Sequence, residues 1–287
     1  MSTQAEKAAR LRDLHAAPGA FLAGNCWDAG TARLLAHVGF GVVETSSAGV
    51  MFARGWPDGD GLASRELMLE NARAVASAVD LPVIADLENG FGHRPEDVAE
   101  TIRLAAETGI VGGSIEDATG DRSDPIYPFD AAVARIRAGA EAARALPFPF
   151  LLTARADQFM HGRPDLAEVI RRAQAFQEAG ADVILAPGLA DKEEIETLAK
   201  SLDRPLAVIM GLSSYRPSLT ELGWIGVKRV SVGSALSRVA LTAFLGAARE
   251  MHEHGTFGFA ADAVPFGELN GLFRRLNGGR SDTSGGV

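Results

Sequence analysis

Short apolar runs alternate along this chain with longer segments in which apolar positions recur every three to four residues. The short runs are rich in β-branched residues, and their apolar residues are consecutive instead of alternating with polar ones. Consecutive apolar residues are typical of strands in a parallel sheet that is covered on both faces. The eight runs occupy residues 20–24, 41–45, 82–86, 113–116, 150–155, 182–186, 206–210 and 229–232.

The longer segments have the 3.6-residue periodicity of amphipathic helices. Their ends carry helix signals. Pro95 and the acidic residues after it suit a first helical turn, and Gly39, Gly109 and Gly180 each follow a helical run. The clearest helical segments are residues 31–38, 65–79, 95–108, 131–145, 165–179 and 192–201.

Eight strand–helix units within about 250 residues predict an α/β fold, specifically a (β/α)₈ TIM-type barrel. The alternative is an open doubly wound sheet, but no GxGxxG motif follows a predicted strand. Outside the repeat, residues 3–16 predict a helix that closes the bottom of the barrel, and residues 234–254 and 266–276 predict extra C-terminal helices. We therefore expect a single barrel domain over residues 1–277 and a disordered Gly/Ser-rich tail over residues 278–287.

The composition excludes several classes of protein. The 287 residues carry a formal net charge of −9 without any Lys/Arg-rich run, which argues against nucleic-acid binding. The single cysteine, Cys26, rules out an internal disulfide or a cysteine-based zinc cluster, and we interpret it as a small buried hydrophobic residue. No apolar stretch approaches the ~18 residues of a membrane-spanning helix and no signal peptide is visible, so we expect a cytoplasmic protein without membrane contact.

Charged residues stand at the ends of three consecutive predicted strands. Asp86 and Glu88 end the third strand, Glu116 ends the fourth and Arg155 ends the fifth. Functional side chains of such barrels lie at the carboxyl ends of strands, and adjacent strands are about 4.8 Å apart. An extended backbone would point Asp86 and Glu88 to the same side. We therefore expect these four side chains to converge at the mouth of the barrel.

Three carboxylates that face one guanidinium leave an excess of negative charge in a partly desolvated place. Either the pKa values of the carboxyl groups rise or a divalent cation binds. Oxygen ligands completed by water are typical of Mg²⁺ or Mn²⁺ rather than zinc. The alternative interpretation is a solvated, salt-bridged rim that binds no ligand.

Three strand-end motifs, ADLENGFG, GGSIEDATG and LLTARADQF, resemble those of the isocitrate lyase/phosphoenolpyruvate mutase superfamily. The segment NCWDAGTARLLAHVGFGVVETSSAGV resembles the opening of the same family, and Asp58 in GWPDGD matches an acidic position after its second strand. The resemblance runs from about residue 25 to residue 233. It implies a Mg²⁺-dependent barrel enzyme that makes or breaks a C–C or P–C bond next to a 2-oxo acid.

The resemblance also implies a role for each residue of the metal site. Asp86 would bind the Mg²⁺ ion (or Mn²⁺) directly, and Glu88 and Glu116 would hold its water molecules. Arg155 would clamp the carboxylate of the substrate with its planar fork. The metal ion would stabilise the enolate that develops as the bond breaks.

Other matched positions would contact the substrate. Ser46, Ser47 and Ala48 fall where the hydroxyl and backbone groups of the family bind the oxo acid. Asp58 would assist beside the reacting group. The catalytic residues expected from the resemblance are Asp58, Glu116 and Arg155.

One stretch departs from the best-known members of the family. Those that cleave isocitrate or methylisocitrate have a Lys-Lys/Arg-Cys-Gly-His loop after the fourth strand, whereas EDATGDRSDPIYPFD here contains no Cys, His or Lys. We therefore expect no specificity for those two substrates and favour a lyase or hydrolase that cleaves a C–C bond. A P–C bond mutase or hydrolase is an alternative, and so is a barrel that binds a small carboxylate without turnover. The acid or base of this loop stays open among Asp121, Arg122, Ser123, Asp124 and Tyr127.

Two histidines are weaker candidates for the site. His93 follows the GFG turn, and His161 follows the fifth strand in QFMHGRPD. For each of them, a solvated position in a loop is our first interpretation.

The C-terminal helical run bears on assembly. It begins at Ser234, is rich in Ala and Leu, and resembles the terminal helices that family members exchange between subunits. We therefore expect a homodimer or homotetramer, with helices swapped between subunits as one arrangement, that binds a small 2-oxo acid.

Overall fold

Parallel strands surrounded by helices form a barrel, as the alternating pattern predicts. The structure is a computed structural model that describes residues 1–59 and 61–277. The strands are β1 (Phe21–Leu22), β2 (Gly24–Cys26), β3 (Val43–Thr45), β4 (Val83–Asp86), β5 (Gly112–Glu116), β6 (Leu151–Arg155), β7 (Val183–Leu185), β8 (Leu206–Ile209) and β9 (Val227–Ser231).

The barrel closes through its first strand position, which is split into two pieces. Strands β2 to β9 are neighbours in chain order, and β1 pairs with β9. Phe21 of β1 lies opposite Arg229, whereas Gly24 of β2 lies opposite Val43 of β3. β1 and β2 together therefore act as one strand of eight, and the predicted (β/α)₈ barrel is confirmed. The predicted run 20–24 ended too early, because β2 continues to Cys26.

Eleven α-helices lie in the described ranges. Helix ends follow the predicted chemistry: the hydroxyl of Ser64 accepts from the backbone N–H of Leu67, and Gly39 and Gly180 end their helices with φ of 106° and 109°. The helices are α1 (Gln4–Ala16), α2 (Ala29–Val38), α3 (Ser47–Ala53), α4 (Arg65–Ala78), α5 (Pro95–Ala106), α6 (Phe129–Arg144), α7 (Leu166–Ala179), α8 (Lys192–Lys200), α9 (Leu219–Trp224), α10 (Ala235–His254) and α11 (Phe266–Asn277).

Two short helices, α3 and α9, were not predicted from the sequence. They contain 7 and 6 residues, too few for the periodicity of an amphipathic helix to be visible. At the start of α3, the backbone N–H of Gly49 donates to the hydroxyl of Ser46 at 3.2 Å. This helix begins directly after β3 and therefore brings Ser46 and Ser47 to the carboxyl end of the barrel.

The N-terminal helix closes the opposite end of the barrel, as predicted. Leu11 of α1 is fully buried with Ile84 and Val111, which lie near the starts of strands. Burial of a leucine side chain contributes about 1.5–3 kcal/mol. A Cβ at Gly112 would come within 2.9 Å of the carbonyl oxygen of Leu151 and 3.4 Å of Leu11, so this close approach requires glycine.

The chain divides into two compact units, residues 1–237 and the residues from Arg238 onward. The first unit contains the barrel, and the second contains most of α10 and all of α11. The single domain over residues 1–277 remains a prediction, and the predicted disordered tail over 278–287 lies outside the described residues. In the described ranges no helix combines the length and hydropathy needed to cross a membrane. The cytoplasmic location remains a prediction.

His15 gives the fold a pH dependence that can be measured. Its Nδ1 lies 2.9 Å from the carbonyl oxygen of Leu11, and its ring meets that of Phe21 edge to face. Burial, together with the nearby charge of Arg229, lowers the pKa of His15 from 6.5 to about 4. The unfolded chain therefore binds more protons than the folded one between these two values, so the free energy of unfolding decreases as the pH falls from 6.5 toward 4.

We expect His15→Gln to remove the part of the acid-induced decrease in the free energy of unfolding that His15 causes, about 1–3 kcal/mol. Urea unfolding at about pH 7.5 and about pH 4.5 should show a smaller acid-induced loss of stability in the variant than in the wild type. His37→Gln, at an exposed histidine, should lose as much stability on acidification as the wild type. Equal losses of stability in His15→Gln and the wild type would contradict the assignment of this pH dependence to His15.

Candidate active site

The predicted strand-end charges meet at the carboxyl end of the barrel. Asp86, Glu116 and Arg155 are the last residues of β4, β5 and β6, and Glu116 lies opposite Arg155 in the sheet. Nη1 of Arg155 is 3.2 Å from Oδ1 of Asp86 and 3.0 Å from Oε2 of Glu116. Each of these side chains is at most 14% exposed, so the cluster is largely desolvated.

A fourth charged residue, Asp157, completes this cluster and was absent from the predicted site residues. Its carboxylate accepts from Nε of Arg155 at 3.2 Å and from Nη2 at 2.7 Å, the bidentate geometry of an arginine–carboxylate pair. The side chain of Asp157 is 3% exposed. The sequence TARAD carried a signal, because Asp157 follows Arg155 by two residues. Only the geometry shows that it takes the guanidinium fork.

The neighbouring carboxylates occupy most of the donors of Arg155. A guanidinium has five N–H groups. Asp157 accepts from two of them, and the two on Nη1 face Asp86 and Glu116. One N–H of Nη2 is left for another acceptor, as far as the described residues go. The clamp expected at Arg155 stays a prediction, and while Asp157 holds the fork it is limited to one N–H.

The carboxylate of Asp86 is held from three sides. The hydroxyl of Ser47 donates to Oδ2 at 2.8 Å, the backbone N–H of Glu88 donates to Oδ1 at 3.3 Å, and Arg155 contacts the same Oδ1. The backbone N–H of Asp86 donates to the hydroxyl of Thr45 at 3.0 Å. The orientation of Asp86 is therefore fixed before any ligand binds.

The three predicted substrate contacts, Ser46, Ser47 and Ala48, lie together at the start of α3. The hydroxyl of Ser46 caps the helix, and the hydroxyl of Ser47 binds Asp86. Ala48 follows in the first turn. Their role in binding a substrate stays a prediction, but Ser47 has an additional role that the sequence did not indicate.

Glu88 reaches the site by a different route from the one expected. Strand β4 ends at Asp86, and Glu88 has a left-handed φ of 50° instead of an extended one. Phe91 is also left-handed, with φ of 58°. The extended-backbone argument was therefore wrong, because the chain turns after Asp86 and the N–H of Gly90 donates to the carbonyl of Leu87 at 2.8 Å. Non-glycine residues in this conformation are costly and are concentrated at functional sites.

Two buried carboxyl groups of the site, Glu88 and Glu116, have raised pKa values, one of the two outcomes expected for an excess of carboxylates. Burial and the charges of Asp86 and Asp58 raise the pKa of Glu88 to about 8. Burial also raises the pKa of Glu116 well above its usual range, although Arg155 opposes the change. Oε1 of Glu88 is buried and has no hydrogen-bond partner among the described residues.

Asp58 belongs to the same electrostatic system although part of its side chain is exposed. Partial burial and the charge of Asp86 raise the pKa of Asp58 to about 6, and hydrogen bonds from Gly59 and Ser47 limit the rise. Asp58 therefore lies close enough to Ser47 and Asp86 to belong to the site. Its catalytic role stays a prediction.

A cleft of about 570 Å³ includes the buried end of the site. Glu88 and Glu116 line it, and so do Asp121, His93 and His161. The two histidines were expected as solvated loop positions; both are exposed, and both line the cleft. A cleft of this size suits a small ligand. Cys26, in contrast, is buried as expected, and burial raises the pKa of its thiol to about 12.

The loop after β5 is held as a short hairpin. Ala118 and Ile126 form an antiparallel bridge across it. At its base, the carboxylate of Asp117 accepts from Nη1 of Arg172 at 3.0 Å and from Nε2 of Gln158 at 2.8 Å. The loop is therefore anchored by a buried ion pair.

The residues of this loop that remained open as the acid or base differ in their surroundings. Oδ1 of Asp121 accepts from the backbone N–H of Ser123 at 2.8 Å and from its hydroxyl at 2.7 Å. The hydroxyl of Tyr127 lies 2.7 Å from Nδ1 of His93, and Tyr127 is 7% exposed. Of the open set, Asp121 lines the cleft directly and Tyr127 reaches it through His93.

The donor set is compatible with a hydrated cation. In the described part of the chain, no three His, Cys, Asp or Glu side chains are arranged to hold a metal ion by themselves. Mg²⁺ does not need such a cage, because it keeps several waters and binds one or two carboxylates. The unpartnered Oε1 of Glu88 is a buried acceptor for which a water ligand would be a donor. Asp86, Glu88 and Glu116 are therefore residues that could hold a hydrated Mg²⁺ ion, and the ion itself stays a prediction.

Comparison with known proteins identifies relatives of this barrel. A sequence model of the phosphoenolpyruvate phosphomutase family matches residues 11–252. Among solved structures, the chain is similar to a protein of Burkholderia cenocepacia J2315 described as a candidate lyase or mutase. The two are 54% identical with a TM-score of 0.91, and the match covers 94% of this chain and 96% of that one.

Two named relatives differ in activity. An oxaloacetate decarboxylase of Pseudomonas putida (strain GB-1) is 29% identical over 243 residues, which are 81% of this chain and 80% of that protein. A 2-methylisocitrate lyase of Bacillus subtilis (strain 168) is 29% identical over 215 residues, which are 73% of this chain and 69% of that protein. Relatives at similar identity thus act on different substrates.

We expect Arg155→Gln to destabilise the protein by about 3–5 kcal/mol, because it leaves several buried carboxylates without a counter-charge. Urea unfolding measures this loss. Arg103→Gln is the matched control: it removes an exposed ion pair with Glu100 and should change stability by about 0.5 kcal/mol or less. If Arg155→Gln lowered the free energy of unfolding by less than about 1 kcal/mol, this would contradict the conclusion that the cluster is desolvated.

Proposed function

This chain belongs to the phosphoenolpyruvate phosphomutase family, and from that premise we propose that it is a Mg²⁺-dependent enzyme that cleaves a C–C bond of a small 2-oxo acid through an enolate. The observation that carries the proposal is the cluster of Asp86, Glu116 and Asp157 around Arg155, next to a cleft of about 570 Å³. The carboxyl ends of the strands are where enzymes of this fold have their active sites.

In this proposal, Asp86 would hold Mg²⁺ or Mn²⁺, and Glu88 and Glu116 would hold its water molecules. When bound, the cation would supply Lewis-acid chemistry at the oxo acid. Ser47 keeps the carboxylate of Asp86 in one orientation through its hydrogen bond at 2.8 Å. Arg155 offsets the charge of the surrounding carboxylates, so that the site does not repel an anionic substrate completely.

The substrate carboxylate would accept a hydrogen bond from the remaining N–H on Nη2 of Arg155. It would face Ser46, Ser47 and Ala48 at the start of α3. Asp58 would lie beside the reacting bond. Because the pKa of Asp58 is raised to about 6, both of its protonation states are populated near neutral pH, which suits a residue that assists proton movement.

The choice of a C–C bond rests on relatives and on the loop. The relative named oxaloacetate decarboxylase supports C–C cleavage next to an oxo group. We do not propose isocitrate or methylisocitrate as substrates, because the loop after β5 has no cysteine, although one relative is a 2-methylisocitrate lyase. The second candidate function is P–C bond chemistry on a phosphonopyruvate-type substrate, which the matched phosphomutase family favours.

We also propose that the C-terminal unit binds a second copy of the chain, in a homodimer or homotetramer. Large apolar side chains are exposed along this unit, and exposed apolar surface is typical of interaction sites. The exposed fractions are 67% for Val239, 67% for Phe244, 48% for Leu245, 67% for Phe257 and 84% for Phe266.

Proton exchange in pyruvate tests the enolate step. We expect the Mg²⁺-loaded protein to exchange the C3 protons of pyruvate for deuterium faster than Mg²⁺ alone, as measured by NMR. EDTA should stop the exchange and added Mg²⁺ or Mn²⁺ should restore it. Asp86→Ala should lower the rate by about 100-fold or more, whereas Asp13→Ala, at an exposed acid of α1, should not. Oxalate binding without exchange would indicate a carboxylate-binding barrel instead of an enzyme.

We expect Phe244→Glu to convert the assembly to smaller species, because a charge in an apolar contact prevents its desolvation. Light scattering after size-exclusion chromatography measures the mass. Val38→Glu is the control, because Val38 is exposed to 73% in the first unit and lies outside the proposed surface. A monomeric wild-type protein would refute the proposed assembly.

A further inference from the structure

His93 lies at the cleft with its ring held in place, a feature that the proposed mechanism does not use. Its Nδ1 is 2.7 Å from the hydroxyl of Tyr127, and the two rings meet edge to face at 6.0 Å. Because Tyr127 is buried, water does not compete freely for its hydrogen bond with His93. Because Nδ1 is engaged, Nε2 is the ring nitrogen left for a ligand in the cleft.

A buried arginine holds both members of this pair. The guanidinium carbon of Arg135 lies 4.2 Å from the centre of the Tyr127 ring, and Arg135 is 1% exposed. The same guanidinium donates to the backbone carbonyls of Asn89 and Arg94, on either side of His93 in the chain. One cation therefore fixes both the tyrosine and the backbone that carries the histidine.

The turn that contains the left-handed residues Glu88 and Phe91 is held in place as well. The side-chain amide of Asn89 donates to the carbonyl of Thr119 at 3.0 Å, and the hydroxyl of Thr101 donates to the carbonyl of Gly90 at 2.7 Å. The turn is thereby tied to α5 and to the loop after β5. Its two ends deliver Glu88 and His93 to one cleft.

We propose that His93 transfers the proton at C3 of the 2-oxo acid and that Tyr127 is its positioning residue; this inference rests on the proposed function. Histidine is the side chain whose ordinary pKa suits proton transfer near neutral pH. Along the described lining of the cleft, the other titratable groups are carboxyl groups, Arg65 and His161. The loop after β5 supplies no Cys, His or Lys.

Proton transfer to C3 follows the cleavage of the bond. When the C3–C4 bond of an oxaloacetate-type acid breaks, the C4 carboxylate leaves as CO₂ and the electron pair remains with the oxo acid as the C2–C3 enolate. The π pair then forms a C3–H bond with the Nε2 proton of the His93 imidazolium, the Nε2–H electrons return to nitrogen, and C2–O becomes a carbonyl. Nδ1 keeps its proton and its contact with Tyr127, and water reprotonates Nε2. In pyruvate exchange, neutral His93 removes a C3 proton by the reverse step.

His161 shares the cleft but has no comparable support. It ends a short 3₁₀ helix (Gln158–His161), is exposed, and has no hydrogen bond to its ring within the described ranges. A group that transfers a proton must be held within reach of the reacting atom. His93 is exposed as well, but Tyr127 holds its ring, so His93 meets this requirement better than the unsupported ring of His161.

The first test compares histidine variants in the Mg²⁺-loaded protein. We expect His93→Gln to lower pyruvate C3 exchange by about 100- to 1,000-fold while oxalate affinity changes less than about twofold. His37→Gln should exchange at the wild-type rate. In His93→Ala, added imidazole should restore part of the exchange, a result that a structural role would not give.

The outcomes separate the two proposals. A wild-type protein without exchange above the Mg²⁺ background overturns the proposed function and this inference together. An active wild type with an equally active His93→Gln overturns this inference alone. Loss of exchange in His161→Gln with retention in His93→Gln also overturns it.

The second test concerns Tyr127. We expect Tyr127→Phe, which keeps the ring against Arg135, to lower the exchange rate by about 10-fold without changing oxalate affinity. Because Tyr127 acts through His93, the double variant His93→Gln/Tyr127→Phe should be no slower than His93→Gln. Additive losses in the double variant would overturn the positioning role.

Discussion

The site depends on one buried guanidinium. Arg155 is the only cation in direct contact with Asp86, Glu116 and Asp157 among the described residues, and these carboxylates come from the ends of three strands or just beyond them. Without it, burial and mutual repulsion would push the carboxyl groups toward protonation or force the strand ends apart. The same interaction therefore holds the mouth of the barrel together and keeps several oxygen ligands close to one another.

Charge extends below this cluster into the interior of the barrel. Oε2 of Glu44 lies 3.9 Å from Nε of Arg229, and Nη2 of Arg229 donates to Thr153 at 3.1 Å. Their strands, β3, β9 and β6, are not neighbours, so the side chains meet across the barrel. The main hydrophobic core instead packs the outer face of the sheet against the helices. The barrel interior thus carries a buried ion pair beneath the site.

The relatives show how one barrel can serve several reactions. Proteins named oxaloacetate decarboxylase and 2-methylisocitrate lyase are both 29% identical to this chain. The strand-end residues belong to the rigid barrel, whereas the groups that reach the reacting bond come from loops. In this chain the loop after β5 is anchored through Asp117 and Arg172, and its Tyr127 faces His93 from the preceding turn. Differences between relatives in substrate are therefore expected to lie in such loops.

The sequence by itself determined the barrel and three of its four central charges. Consecutive apolar runs gave the strands, helix periodicity gave the alternation, and Asp86, Glu116 and Arg155 stood at strand ends because that is where a parallel barrel exposes side chains. Tertiary structure decided the rest. Asp157 takes the fork of Arg155, and Glu88 enters the site through a left-handed turn. His93 meets Tyr127 from 34 positions away. These contacts join residues from different loops, and loop conformation follows from long-range hydrogen bonds and burial that no local pattern records.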